Sequence, residues 1–324
     1  MKRLSSLASG VVRAVTICRG KVEVRQHPDP VPGKGELLVK VKGAGINGAD
    51  ILQVKGGYPA PPGYPPDIPG MELAGEVAAL GEGVQGFTPG DRVMAVVGGG
   101  AQAELAVVHE RTAIRVPGEL EWAEAGGFPE VFTTAYDALF TQCGLTLGER
   151  ALVHGAAGGV GSAGVQLAHV AGASVTATVR RPEARVFVES LGADRVVGPD
   201  EFEVQGPFDV ILELVGAPCF NSDLRSLAIG GRISVIGIGG GSRAEIELLA
   251  LMASRGRVLG STLRSRPLEA KADAAQRVQA HVLPLLERGR IRVPVAARFS
   301  IDDAQRAYDL FQAGGKLGKV VLEI

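Results

Sequence analysis

Cysteine is scarce in this chain, and the little there is makes no pattern. Cys18, Cys143 and Cys219 are odd in number and far apart. Such spacing argues against a disulfide framework and for a reducing compartment. No CxxC pair occurs, the five histidines are scattered, and no HExxH or similar zinc spacing exists. No metal site is therefore expected. Aromatic residues make up only 5%, so any core must be built from Val, Leu, Ile and Ala. No apolar run approaches the roughly 20 residues that span a bilayer. Charge of one sign is also lacking: 34 Lys and Arg stand against 35 Asp and Glu, for a net charge of -1. That balance offers no field for nucleic acid or for an acidic membrane surface. Residues 1–10 are basic and serine-rich but have no long apolar core, so they do not read as a secretory signal. Together these absences point to a cytoplasmic protein without membrane or nucleic-acid partners.

What is present is enough chain for one large or two ordinary domains: 324 residues, 46% hydrophobic and 21% charged. Its 46 glycines have no three-residue period and cluster at loop positions, as in folds whose backbone must approach a ligand. The first part, to about residue 119, reads as short strands and turns, with strands over 36–41, 73–79, 92–97 and 101–108. Between Tyr58 and Gly70 lies a proline-dense loop, expected to be stiff, irregular and at the surface. A helical pattern over 123–140, broken near Pro129, opens the next part. Strands at 151–154, 174–179, 209–214, 232–236 and 258–261 then alternate with helices at 159–171, 182–191, 219–228 and 245–254. This alternation predicts an α/β fold with a doubly wound parallel sheet. One long helix (269–287), another at 301–313 and a final strand (319–324) close the chain.

The most informative run is LVHGAAGGVG at 152–161. Ala156, Gly158 and Gly161 hold the three places of the dinucleotide fingerprint GxGxxG, with alanine at the first. Gly158 would admit a pyrophosphate to the backbone, and Gly161 would let the helix pack tightly on the strand. The helix N-terminus, with Ala157, Gly159 and Val160 around it, would face the phosphates. A fingerprint alone is weak evidence, but this one sits between a strand and a helix at the start of a βαβ series. An NAD site ordinarily has an acidic residue about 20 positions on, at the ribose 2′-hydroxyl. Here Arg180 and Arg181 stand at that strand end, and Arg185 follows one helical turn later. Three guanidiniums suit a 2′-phosphate, so NADPH is the expected cofactor; the alternative is a solvated helix start.

These features together resemble the medium-chain dehydrogenase/reductase superfamily. More narrowly, they resemble its zinc-free, zeta-crystallin-like quinone oxidoreductase family. The resemblance is carried by GAGINGAD at 43–50, GMELAG at 70–75, GDRV at 90–93, the glycine loop and GKVVL at 318–322. GGGAQA at 98–103, Pro129–Glu130 and LRSR at 263–266 are further similar to the stress-induced quinone reductase branch. The likeness implies a GroES-like, β-rich catalytic domain from residues 1–124 and 267–324, and a Rossmann NADPH-binding domain from 125–266. It also implies a homodimer through the edge strand of the cofactor domain, at 258–263.

Against zinc-dependent relatives, this chain has Asn47 at the first catalytic cysteine, Met71 at the histidine of a GHE motif, and no cysteine-rich lobe after Arg92. An amide and a thioether do not assemble a tetrahedral zinc with an open position. Oxidising a simple alcohol needs such a Lewis acid, whereas a quinone or enone accepts hydride through its own conjugation. The resemblance therefore implies an NADPH:quinone oxidoreductase acting on quinones or related electron-poor carbonyl compounds. Asn47 could hold a substrate oxygen or the nicotinamide side, or simply stabilise its turn. Tyr58 occupies the place of the family's active-site tyrosine, as oxyanion donor or loop anchor. Thr133 and Thr134 sit where the family's linker helix meets the cofactor. Gly216, Gly237 and Gly239 follow strand ends, where an open α/β sheet binds ligands. Arg264 would cover the nicotinamide or reach substrate, and Lys319 would approach a cofactor phosphate or end a surface strand. Two rival readings remain: an enoyl or 2-alkenal reductase, which would also need an acid to protonate the α-carbon, and a non-catalytic NADPH-binding protein.

Overall fold

The computed structural model describes residues 10–324, so nearly all of the basic 1–10 segment lies outside the described residues. The chain forms two compact units. The first takes the described part of Met1–Pro129 together with Ala297–Gly314 and Val320–Ile324. The second takes Glu130–Ala296 and Gly315–Lys319. Residues 267–296 thus belong with the second unit, not with the first as the resemblance implies. No helix among the described residues is long and apolar enough to cross a membrane.

The first unit is built on a seven-stranded sheet. Its path runs Val295–Ser300, Lys319–Glu323, Glu36–Ile46, Glu72–Leu80, Arg92–Val96, Ala113–Arg115, with Leu105–His109 also paired to Glu36–Ile46. The C-terminal strand lies antiparallel to the middle one, Leu322 opposite Ala44, so both ends of the chain build this GroES-like unit. Its core is aliphatic, as the shortage of aromatics requires: Leu37, Val39, Val41, Leu73, Val77 and Val93 are buried together. The single tryptophan, Trp122, lies in this unit with the Arg92 guanidinium 4.2 Å from its ring centroid.

The second unit holds a six-stranded parallel sheet in the order Arg195–Val197, Ser174–Thr178, Arg150–Val153, Phe208–Glu213, Leu227–Val235, Arg257–Gly260. Numbered by sequence, this is the 3-2-1-4-5-6 order of a dinucleotide-binding fold. The order reverses between Arg150–Val153 and Phe208–Glu213, which places the crevice at their C-terminal ends. These two strands are almost wholly buried, as strands covered by helices on both faces must be.

Several helices are shorter than their sequence periodicity suggests. The 269–287 pattern splits into Leu268–His281 and Leu283–Glu287, because Pro284 starts a new helix more easily than it continues one. The 219–228 pattern ends at Arg225, and a strand begins at Leu227. The edge strand stops at Gly260, so Leu263, buried in the loop beyond, is not part of it.

The helix Gly159–Val170 packs tightly on the strand that feeds it. A Cβ on Gly161 would lie 2.4 Å from the Gly155 carbonyl oxygen and 2.7 Å from the Ala156 Cα. Both obstacles are backbone, so neither can rotate away. Gly161→Ala should cost about 1–3 kcal/mol and lower the unfolding temperature by roughly 3–10 °C, read by calorimetry.

Candidate functional site

In the first unit, two glycine-rich motifs close into one buried knot. Asn47 caps the helix Gly48–Val54, its backbone N–H donating to Asp50 Oδ2 at 2.8 Å. The other oxygen of Asp50 accepts from the Gly70 N–H at 3.1 Å. The Asn47 side chain donates from Nδ2 to Glu72 Oε1 at 2.9 Å. Asn47, Asp50 and Glu72 are all buried, as is Met71 beside them. The turn-stabilising role considered for Asn47 is thus visible in its bonds, and Glu72 is a partner that sequence reading quoted but did not single out. Tyr58 is half-buried in the proline-rich loop. Tyr64 is a packing residue, its ring filling the space a Cβ on Gly98 would need, 2.5 Å away.

In the second unit, the glycine loop leads directly into the helix N-terminus. Gly158 caps the helix, and the Gly318 N–H donates to the Ala157 carbonyl at 2.8 Å. The buried Lys319 runs alongside: its Cδ lies 2.9 Å from where a Gly159 Cβ would be, as does Val131 Cγ1 of the helix Pro129–Tyr136. Ala157, Gly158, Gly159, Val160 and Gly161 are therefore brought together with Lys319 and the Thr133–Thr134 helix. Of the two threonines, Thr134 donates to Glu130 Oε1 at 3.1 Å, whereas the buried Thr133 hydroxyl has no hydrogen-bond partner among the described residues. An orphan hydroxyl beside this loop makes Thr133 the better candidate to meet a ligand.

Cations gather on the same side. The Arg181 guanidinium lies against Gly315, with Nη1 2.1 Å from where a Gly315 Cβ would be. Lys316, next along, is half-buried; burial first, then Lys319 and Arg180, push its ammonium down to about 8. Arg180, Arg181, Lys316 and Lys319 thus converge at one end of the unit. Lys316 escaped sequence reading because it lies 136 positions from Arg180 in a loop without a motif of its own. Arg185 instead reaches Glu201 at 3.4 Å across an exposed surface.

Gly216, with φ +99°, makes a left-handed turn after Phe208–Glu213 that a side chain would strain. Gly237 and Gly239 belong to the facing turn after Leu227–Val235. The two turns interlock through Ala217 N–H to Gly241 O (3.1 Å) and Gly240 N–H to Val215 O (2.8 Å). Arg264 is buried, and its charge helps to lower the ammonium pKa of Lys271, after burial itself.

A strand–glycine–helix turn at a sheet's switch point, in a chain whose other unit is a GroES-like β-fold, describes a nicotinamide-nucleotide oxidoreductase. Two family descriptions match: Alcohol dehydrogenase GroES-like domain over residues 33–118, and Zinc-binding dehydrogenase over 159–280. The Quinone oxidoreductase of Lama guanicoe is 32% identical over 305 residues, covering 90% of each chain. The Acryloyl-coenzyme A reductase of Metallosphaera sedula is 31% identical over 331 residues, covering 93% of this chain and 96% of that one. Among solved structures, mycobacterial Rv1454c complexed with NADPH superimposes with a TM-score of 0.87 at 26% identity, covering 97% of this chain and 100% of that one. The chain belongs to the medium-chain dehydrogenase/reductase superfamily, with quinone oxidoreductases among its homologues.

Asn47→Ala should leave the buried Glu72 carboxylate short of one donor and cost about 1.5–3 kcal/mol. Denaturant unfolding followed by Trp122 fluorescence, which reports on this unit, measures it.

Proposed function

We propose that this protein is a zinc-independent, NADPH-dependent reductase of quinones or related electron-poor carbonyl compounds. The observation that carries the cofactor is the convergence of Arg180, Arg181, Lys316 and Lys319 beside the glycine loop. A 2′-phosphate is a dianion at neutral pH, and four cations with no acidic ribose partner favour it over a free hydroxyl. The loop backbone of Ala157, Gly158, Gly159, Val160 and Gly161 fits a pyrophosphate: a glycine cap at a helix N-terminus leaves N–H groups and a favourable dipole for it. Thr133, Thr134 and the turns at Gly216, Gly237 and Gly239 would line the remainder, with Arg264 toward the nicotinamide. Arg185, engaged with Glu201, would contribute charge at longer range.

When bound, NADPH supplies a hydride. The protein's own work is to orient the two reactants and to stabilise charge on the reduced oxygen. Tyr58 is the O–H donor best suited to that oxygen. Asn47 acts mainly by holding the loop that Glu72 and Asp50 anchor. Zinc does not fit here: at the positions of two zinc ligands stand an amide already donating to Glu72 and a buried thioether. A conjugated acceptor needs no such Lewis acid.

The similarity to an acryloyl-coenzyme A reductase supports a second reading, reduction of a 2-enoyl thioester. Steady-state rates with NADPH and either naphthoquinone or crotonyl-coenzyme A separate them. A kcat/KM higher for the quinone is expected; a preference for the thioester would replace the first reading with the second.

Lys316→Met should weaken NADPH binding roughly tenfold to a hundredfold and leave NADH binding nearly unchanged. Because the Lys316 ammonium loses its proton at about 8, the preference for NADPH over NADH should narrow as pH rises through that value. Fluorescence titrations with both nucleotides measure it, and equal affinities throughout would remove the 2′-phosphate assignment.

The homodimer we propose rests on an apolar face at the sheet edge. Ile246, Leu248, Leu249, Met252 and Val258 are exposed on and around the helix Leu248–Ser254 and the edge strand Arg257–Gly260. An uncovered edge strand flanked by such a surface is a pairing site. Light scattering should give twice the chain mass, and Leu249→Asp with Met252→Asp should give the monomer.

A further inference from the structure

The two strands at the switch point, Arg150–Val153 and Phe208–Glu213, each carry a wholly buried ionisable residue at their C-terminal end: His154 and Glu213. Asp223, from the helix Phe220–Arg225 and equally buried, completes the group. His154 Nε2 lies 2.8 Å from Asp223 Oδ1 and 3.8 Å from Glu213 Oε2. Its Nδ1 lies 3.0 Å from Thr178 Oγ1, and its ring stands edge-on to Phe202. The imidazole is therefore satisfied on both nitrogens by neighbours from two different elements.

Glu213 faces two ways. Its Oε1 accepts from the N–H groups of Val215 and Gly216, so the carboxyl group itself holds the left-handed turn. Its Oε2, like Asp223 Oδ2, receives no hydrogen bond from any described N–H or O–H. Two bare carboxylate oxygens in a buried site are unfavourable, yet the two carboxyl groups close on one point, Asp223 Oδ1 and Glu213 Oε2 lying 2.8 and 3.8 Å from the same His154 Nε2, and a side-chain hydrogen bond between them raises Glu213. One proton between them satisfies both oxygens. Burial raises both acids, Asp223 to about 7, with the hydrogen bond from Glu213 drawing it down, and Glu213 higher, so the proton belongs on Glu213. A protonated Glu213 still accepts the turn's N–H groups through its carbonyl oxygen while its O–H donates to Asp223.

We propose that Glu213 carries the shared proton of a buried acid–carboxylate pair with Asp223, and that this proton locks the Gly216 turn to the strand end that launches the glycine loop. His154, Glu213 and Asp223 are then positioning residues for the nucleotide. The consequence for binding rests on reading these loops as the nucleotide site.

Besides Asp223 and His154, Glu213 has Cys219 near it, at the cap of the helix, and Cys219 in turn feels the charge of Asp200. Cys219 Sγ, His154 and Glu213 offer ligand atoms within 4.8 Å of one another. A metal among them is disfavoured: both ring nitrogens of His154 are already hydrogen-bonded, Nε2 with Asp223 at 2.8 Å and Nδ1 with Thr178 at 3.0 Å, and a cysteine binds metal as its thiolate. Burial and the nearby carboxyl groups also push the Cys219 thiol up to about 12.

Burial, reinforced by Asp223, raises Glu213 to about 8. Above that pH the pair would hold two negative charges, and the lock opens. The dissociation constants of NADPH and NADH should then rise together, by up to roughly tenfold per pH unit. This separates the effect from that of Lys316, which acts on NADPH alone. Glu213→Gln supplies a permanent donor to Asp223 and keeps the carbonyl for the turn, so it should bind NADH as the unaltered protein does at lower pH, with the slope gone. Infrared difference spectra give a readout without nucleotide: a buried protonated-carboxyl band in the unaltered protein, absent in Glu213→Gln. Lack of that band at neutral pH, an NADH affinity that is flat across pH 8, or stoichiometric zinc lost on Cys219→Ser would each overturn the proposal.

Discussion

The second unit depends on a single close approach, that of Gly161 to the Gly155–Ala156 backbone. A helix can launch from the end of a parallel strand only if its first turn drops onto that strand. Here the clearance leaves no room for a side chain. Once the helix is seated, its N-terminus lies at the switch point of the sheet. The unpaired N–H groups and the dipole end where the strand order opens a crevice. Lys319 then runs along Gly159, and Gly318 bonds to Ala157, so a segment near the C-terminus is fastened to the same loop. The place of the glycine loop at the crevice follows from that seating.

The first unit obeys a similar economy with different chemistry. Three buried acids and amides, Asn47, Asp50 and Glu72, fasten two glycine-rich motifs that are otherwise only turns. Where zinc enzymes of this superfamily place metal ligands, this chain has a hydrogen-bonded amide and a thioether. The polar groups that survive there bond to one another and, through Asp50, to the backbone. On the function proposed above, such a site would serve substrates that accept hydride without a Lewis acid.

Much of this was legible in the sequence because it is local. The strand–glycine–helix run, the βα alternation and the arginine pair after the second strand all lie within short windows, and each has a period or spacing to read. What was not legible depends on residues far apart. Lys316 joins Arg180 only once the C-terminal segment returns to the sheet, and His154 meets Asp223 only through the crossover between strands. Choosing between Thr133 and Thr134 required knowing which hydroxyl Glu130 takes. Arg185 has the right spacing to join the cluster, yet in the fold it faces Glu201. The helices at 219–228 and 269–287 were overextended because apolar periodicity continues past the point where a strand or Pro284 ends them. Placing 267–296 with the first unit came from the resemblance, and no helix pattern says which sheet a helix covers.

The rarity of aromatic side chains has a practical side. Trp122 is the only tryptophan, and it sits in the GroES-like unit under the Arg92 guanidinium. Of the four tyrosines, Tyr58, Tyr64 and Tyr308 share that unit, which leaves Tyr136 alone in the other. Nature has in effect labelled one half of this molecule with chromophores and left the nucleotide-binding half nearly dark. Emission from the indole therefore tracks the melting of one unit, and the other must be followed by a probe it binds rather than by its own side chains.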